Sequence, residues 1–149
     1  MPLTDRDLAG DQQRSAVVAI IDDLEQITDA SEVLRLQTGV KAIYVDPLIK
    51  QYIVEIVAAT RNHEAAYLGA SPRGSLALYR SSQALALMDG RDFVIPDDVK
   101  ALAYPTLGHR VIASPSARVK NVTTASIVND CLSRIPVPGA RARGASSAG

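Results

Sequence analysis

In the run Gly69-Ala70-Ser71-Pro72-Arg73-Gly74 a cation stands where helix electrostatics disfavours one. Ser71 is a good N-cap, and Pro72 is a natural first helical residue because its missing N–H would go unpaired there anyway. The positive end of the helix dipole lies at that terminus, so Arg73 in the first turn costs roughly 0.3–1 kcal/mol. An anion held at the helix start, such as a nucleotide phosphate, would offset the cost and give the arginine a partner. Without a ligand, Arg73 is a surface arginine tolerating a weak penalty. Arg61 in Ala59-Thr60-Arg61 and Arg110 in Gly108-His109-Arg110 are secondary candidates for the same role. Each could instead pair with a carboxylate near a helix C-terminus, where a cation is favoured.

Other chemistries find less support. A phosphate-binding P-loop needs G-x-x-x-x-G-K-[ST]. The four lysines, Lys41, Lys50, Lys100 and Lys120, never follow glycine directly. Val17 to Asp23 looks like a strand ending in two acids that could hold Mg²⁺, as a Walker B element does, but a capped helix or solvated acidic turn reads better. His63 and His109 lie far apart and outside metal-ligand spacing, so no metal site is expected. Cys131 falls on the apolar face of the last helix, where a small inert core residue is the expectation. Ser71 and Ser75 have no nearby base, and G-x-S-x-G does not occur.

Bulk composition narrows the class. At 149 residues the chain is one domain by prior, long enough to bury a real core. Aromatics make up only 4%, with no tryptophan, so Ala, Val, Ile and Leu must build that core, which suits helix packing. Sixteen basic and sixteen acidic residues cancel, leaving no global field to draw nucleic acid or an anionic membrane. The single cysteine excludes an internal disulfide. The longest apolar run, Ala16 to Ile21, is too short to span a membrane, and no signal-peptide pattern opens the chain, so a cytoplasmic location is expected.

The elements that must position these residues are mostly helices. Asp29-Ala30-Ser31-Glu32 predicts a helix over Ala30 to Gln37 ended by Gly39, followed by a short extended segment over Val40 to Val45. Asp46-Pro47 starts a helix to about Asn62, with Ile49, Tyr52, Ile53, Ile56, Val57 and Thr60 on one face. His63 to Ala70 reads as a connecting loop. The helix from Pro72 continues to about Asp89, with Gly90 beyond it. Leu76, Tyr79, Gln83 and Leu87 form its stripe, and its second half is expected to be buried on most sides. Phe93 to Ile95 reads as a short strand, and Pro96-Asp97-Asp98 opens a helix to about His109, bent near Pro105. Residues 111 to 122 read as a loop, and Thr124 to Arg134 as the last helix, with Ile127, Val128, Cys131, Leu132 and Ile135 inward. The predicted fold is mainly α, a small helical bundle with two short extended segments able to pair. Residues 1–26 form a leader or the remnant of an interdomain connection, 27–138 the helical domain, and 139–149 a disordered tail.

The order of these motifs resembles the C-terminal lid of MoxR-type AAA+ ATPases. The resemblance is carried by Leu34-x-Leu36-Gln37, Val45-Asp46, Tyr52-Ile53-Val54, Ala59-Thr60-Arg61 and Leu68-Gly69-Ala70-Ser71-Pro72-Arg73. It continues through Gln83-Ala84-Leu85-Ala86, Gly90-Arg91-Asp92-Phe93-Val94, Pro96-Asp97-Asp98-Val99 and His109-Arg110. Two departures stand out: Ile95 lies where such lids often carry a capping threonine, and Gly74 where alanine is usual.

In such ATPases the lid covers a nucleotide held mainly by a separate α/β core. Ser71-Pro72-Arg73 matches the sensor-2 segment, which implies that Arg73 reaches the terminal phosphates and reports ATP against ADP. Ring oligomers, chaperone-like action and partners with von Willebrand factor A domains follow from the same resemblance. ATP and Mg²⁺ are implied only together with an external AAA+ core or sister subunits. Walker A, Walker B, sensor-1 and arginine-finger segments are not present, so no hydrolysis is expected of this chain alone. An excised lid, a piece of a longer gene and a free-standing relative are all compatible with that pattern. The competing expectation is a helical adaptor that docks on a partner without nucleotide chemistry.

Overall fold

A computed structural model describes residues 25–139. The acidic pair predicted at Asp22-Asp23, the leader up to residue 24 and the tail from residue 140 lie outside them. The chain divides into two units between Arg35 and Leu36. In the first, helix α1 (Ala30–Ala42) starts at Asp29, whose carboxylate accepts the Glu32 N–H and the Ser31 hydroxyl, both at 2.7 Å. The Glu32 amide in particular holds the Asp29 carboxyl below its ordinary range.

The second unit begins within α1 and carries the core. Helix α1 runs past Gly39 to Ala42, with none of its residues buried. It stops where Ile43 enters the core and Tyr44 pairs with another segment. The extended stretch expected over Val40 to Val45 therefore shrinks to a parallel bridge between Tyr44 and Phe93. There Tyr44 N donates to the Asp92 carbonyl (2.8 Å) and Val94 N to the Tyr44 carbonyl (3.0 Å).

Helix α2 (Pro47–Arg61) is capped by the Asp46 carboxylate, which accepts the Leu48 N–H at 2.8 Å. It buries Ile49, Tyr52, Ile53, Ile56, Val57 and Thr60, as its periodicity predicts. Helix α3 (Pro72–Met88) lies along α2 and along α4 (Pro96–Leu107), and α6 (Thr124–Arg134) closes against α2 and α4 with Ile127, Val128 and Cys131 inward. Pro105 lies inside α4, which ends at Leu107, and a 3₁₀ turn at Gly108–Arg110 continues the chain to the predicted end of the helix near His109.

Three expectations are corrected. Of the stripe expected on α3, Gln83 is buried and Tyr79 and Leu87 pack half-buried against the core, but Leu76 is 67% exposed, and Gly74, Leu78, Ser82 and Ala86 complete the buried face. Close helix approach has selected small residues there, which the apolar stripe does not register. The second half of α3 is mostly half-buried, and Met88 is exposed. The two presumed loops are structured: β1 (Ala66–Leu68) pairs antiparallel with β2 (Ile112–Ala113), and a short helix α5 (Pro115–Val119) follows. Ser114, whose N–H donates to the Ala65 carbonyl at 2.8 Å, also caps α5 by accepting the Ala117 N–H.

Candidate functional site

The chain path from α2 into α3 is set at Gly69. A Cβ there would stand 2.4 Å from the Arg61 Cα and 2.6 Å from the Thr60 carbonyl carbon, so only glycine lets the strand exit lie against the end of α2. Ala70 follows, fully buried, with both backbone groups satisfied from α2. Its N–H donates to the Thr60 hydroxyl (2.9 Å) and its carbonyl accepts from Arg61 Nη1 (2.9 Å). The Thr60 hydroxyl in turn donates to the Val57 carbonyl at 2.7 Å.

Ser71 takes the extended N-cap conformation, and its carbonyl accepts the Gly74 N–H at 2.7 Å. Its hydroxyl makes no cap. Pro72 occupies the first helical turn and offers no N–H. Gly74 is buried one position past Arg73, where a Cβ would meet Leu107 Cδ2 at 3.1 Å and Ala70 Cβ at 3.3 Å. The glycine that weakens the first turn by propensity is thus a packing point for α4 beneath it.

Arg73 is exposed on this platform. Among the described residues its guanidinium makes no hydrogen bond or ion pair, and the first turn of α3 carries no acid. Leu76, three residues on and so on the same helix face, is also exposed, as are Tyr67 and Leu68 just before Gly69. A free cation, a free Ser71 hydroxyl and flanking apolar side chains suit an anion presented by a protein surface.

The two secondary candidates part company. Arg61 is joined to the Arg73 helix start through the Ala70 carbonyl. Arg110 turns back on its own helix, with Nε donating to the Thr106 carbonyl at 3.2 Å, and among the described residues it has no bond to either of the others.

Two polar clusters were not anticipated from the sequence. Asp98 accepts the Ile95 N–H (2.9 Å), so the acid at the third helical position covers the start that Ile95 cannot cap. The same carboxylate takes two hydrogen bonds from Arg91. The acid near the start of α4 was the available signal. On the opposite side, His63 Nε2 meets Asp130 Oδ2 at 2.7 Å while its Nδ1 accepts the Ala65 N–H. Arg134 shares Asp130 Oδ2 at 2.7 Å. With both imidazole nitrogens engaged, His63 has no lone pair to activate Cys131, whose thiol is buried and pushed up by that burial. The cleft between α2 and α6 walled by Ala58, Ala59, His63, Cys131 and Arg134 is therefore no nucleophile site. Among the described residues no three His, Cys, Asp or Glu side chains converge as metal ligands, and no helix is long and apolar enough to cross a membrane.

Known proteins supply the comparison. The family model of the AAA lid domain matches residues 58–131, which include Thr60, Arg61, the Ser71-Pro72-Arg73 segment, the Arg91–Asp98 pair and the His63–Asp130 pair. The chain is 43% identical over 118 residues to the uncharacterized protein YeaC of Bacillus subtilis, covering 79% of this chain and 37% of that one. It is 32% identical over 123 residues to the chaperone MoxR1 of Mycobacterium tuberculosis, covering 76% and 33%. The protein MoxR of Paracoccus denitrificans is 30% identical over 120 residues, covering 70% and 35%. The chain thus spans about a third of the length of these relatives. A crystal structure of a protein assigned as an ATPase from Cytophaga hutchinsonii superposes with a TM-score of 0.73 at 25% identity, over 92% of this chain and 44% of that one.

Proposed function

The chain belongs to the lid domains of MoxR-type AAA+ ATPases, and from that premise we propose that it senses the nucleotide of an ATP-hydrolysing ring. In this reading Arg73 reaches the terminal phosphates of an ATP bound on an α/β core. It stabilises charge as it develops there and couples the lid to the difference between ATP and ADP. Core domains of the same or sister subunits are the immediate partners, and the exposed Tyr67, Leu68 and Leu76 beside Arg73 dock against them. Proteins with von Willebrand factor A domains are the client class implied by the family.

The observation that carries this reading is the exposed Arg73, unpaired among the described residues at a helix start that disfavours a cation and is packed rigidly from below. The Arg73 guanidinium and the Ser71 hydroxyl fit phosphate oxygens, whereas the described residues offer no converging carboxylates for Mg²⁺. Mg²⁺ and the bulk of the ATP contacts therefore belong to the core. The test puts the full chain in place of the aligned segment of YeaC and measures ATP turnover by the joined protein. Turnover is expected to fall about a hundredfold on Arg73→Ala, within the range for loss of one charge-stabilising donor. Unchanged turnover would remove the sensor assignment.

A further inference from the structure

We propose that Thr60 and Arg61 are positioning residues for Arg73, forming a clamp that substitutes for the missing N-cap of α3. The proposal rests on the reading of Arg73 as the phosphate sensor. A helix start is ordinarily oriented by its cap side chain, yet the Ser71 hydroxyl makes no cap bond. Consecutive side chains from the last turn of α2 take over that task. Thr60 accepts the Ala70 N–H, and Arg61 donates to the Ala70 carbonyl, each at 2.9 Å.

Ala70 is the residue immediately before the cap position, so both of its peptide planes are fixed. Gly69 ahead of it lies in backbone contact with Thr60 and Arg61, and Gly74 beyond it rests on Leu107 and Ala70. Arg73 is held between these two anchors. Thr60 is itself fixed by its bond to the Val57 carbonyl inside the core. The rest of the α2 terminus does not need this arrangement: its C-cap, Asn62, already donates its own N–H to the Ala59 carbonyl. A guanidinium that must meet a developing charge gains from such rigidity, because a misplacement of about 1 Å can cost on the order of a hundredfold in rate.

The test uses the same joined protein, comparing Arg61→Ala, Thr60→Val, Thr60→Ser, Arg73→Ala and the double variant Arg61→Ala/Arg73→Ala. Arg61→Ala and Thr60→Val are expected to lower kcat by about tenfold with KM for ATP within about twofold, and Thr60→Ser, which keeps the hydroxyl, to retain activity. The double variant should be no slower than Arg73→Ala, since the clamp acts only through that arginine. Amide exchange on the full chain without the core should show lost protection at Ala70 and Gly74 in Arg61→Ala and Thr60→Val, with α6 unchanged. A deficient Arg73→Ala beside unimpaired Arg61→Ala and Thr60→Val overturns the clamp and leaves the sensor standing. A neutral Arg73→Ala overturns both. Losses that multiply in the double variant, or protection at Ala70 and Gly74 that survives both clamp variants, also overturn the clamp.

Discussion

Arg91 grips Asp98 through two parallel hydrogen bonds, Nη1 to Oδ2 at 2.9 Å and Nη2 to Oδ1 at 2.7 Å. The same guanidinium reaches the Phe93 carbonyl (3.0 Å) and Asp89 (2.9 Å), so one arginine joins the end of α3 to the start of α4. The turn is possible because Gly90, at φ +71°, adopts the left-handed conformation that sends Arg91 N back to the Ala86 carbonyl. The Asp98 carboxylate, then Asp89, raises the guanidinium pKa further above its ordinary value.

Asp98 is only 4% exposed, and Asp98→Ala leaves the Ile95 N–H without its acceptor and the half-buried Arg91 guanidinium with only Asp89 and the Phe93 carbonyl. The orphaned Ile95 N–H costs about 1–3 kcal/mol, and Arg91, part-exposed and still paired with Asp89, adds little. Urea unfolding of the full chain should show that loss. A midpoint unchanged from the parent would mean that the pair adds nothing.

Tyr52 gives a pH-dependent case. Its ring is buried in α2, its hydroxyl finds no partner among the described residues, and burial pushes the phenol above its ordinary value of 10.0. Below about pH 10 both folded and unfolded chains carry neutral Tyr52, so its ionisation has no effect there. Above that pH the unfolded phenol ionises first, and stability is lost as pH rises toward the folded value. Tyr52→Phe removes a buried hydroxyl that has no bond to lose, so at neutral pH it should be neutral or stabilising by up to about 2 kcal/mol. The advantage of the variant in thermal unfolding should widen between pH 9 and 11, on the order of the ordinary tyrosine pKa. A constant gap across that range would contradict the burial.

Cys131 is buried with its thiol raised, so labelling by a disulfide reagent near pH 8 must wait for the fold to open. The native chain should react at least about a hundredfold more slowly than the chain in urea. Equal rates would place the thiol at the surface and reopen the question of its chemistry.

How much could be read in advance depended on range. The α2 face was legible because Asp46-Pro47 fixes its phase and its core contacts are large and apolar. The α3 face was legible only in part: Gln83 is buried and Tyr79 and Leu87 pack inward, but Gly74, Ser82 and Ala86 are chosen for closeness, which a hydrophobic period cannot register. Strands of three and two residues carry too little pattern to be seen, and the Ala66–Ala113 pairing joins segments far apart in the chain. Arg73 announced itself because its anomaly is local to one helix turn. What holds that turn did not, since the bond from Arg61 to Ala70 exists only once β1 has folded back along α2.

The two glycines flanking Arg73 separate backbone contact from side-chain contact. At Gly69 an added methyl group would overlap the Arg61 Cα, the Arg61 nitrogen and the Thr60 carbonyl carbon, all within 2.6 Å, and helix backbone cannot yield there. Gly69→Ala must push the strand exit off α2, breaking the Ala70 bonds and costing about 3 kcal/mol, the upper part of the overpacking range. At Gly74 the nearest atom is the terminal methyl of Leu107 at 3.1 Å, which can rotate aside by a few tenths of an ångström. Alanine also recovers up to about 1 kcal/mol of helix propensity there, so Gly74→Ala should stay within about 1 kcal/mol of the parent. Paired urea titrations of the two variants decide the matter. Equal stability would mean that the approach of Gly69 to α2 is not what sets the course of the chain into the arginine-bearing turn.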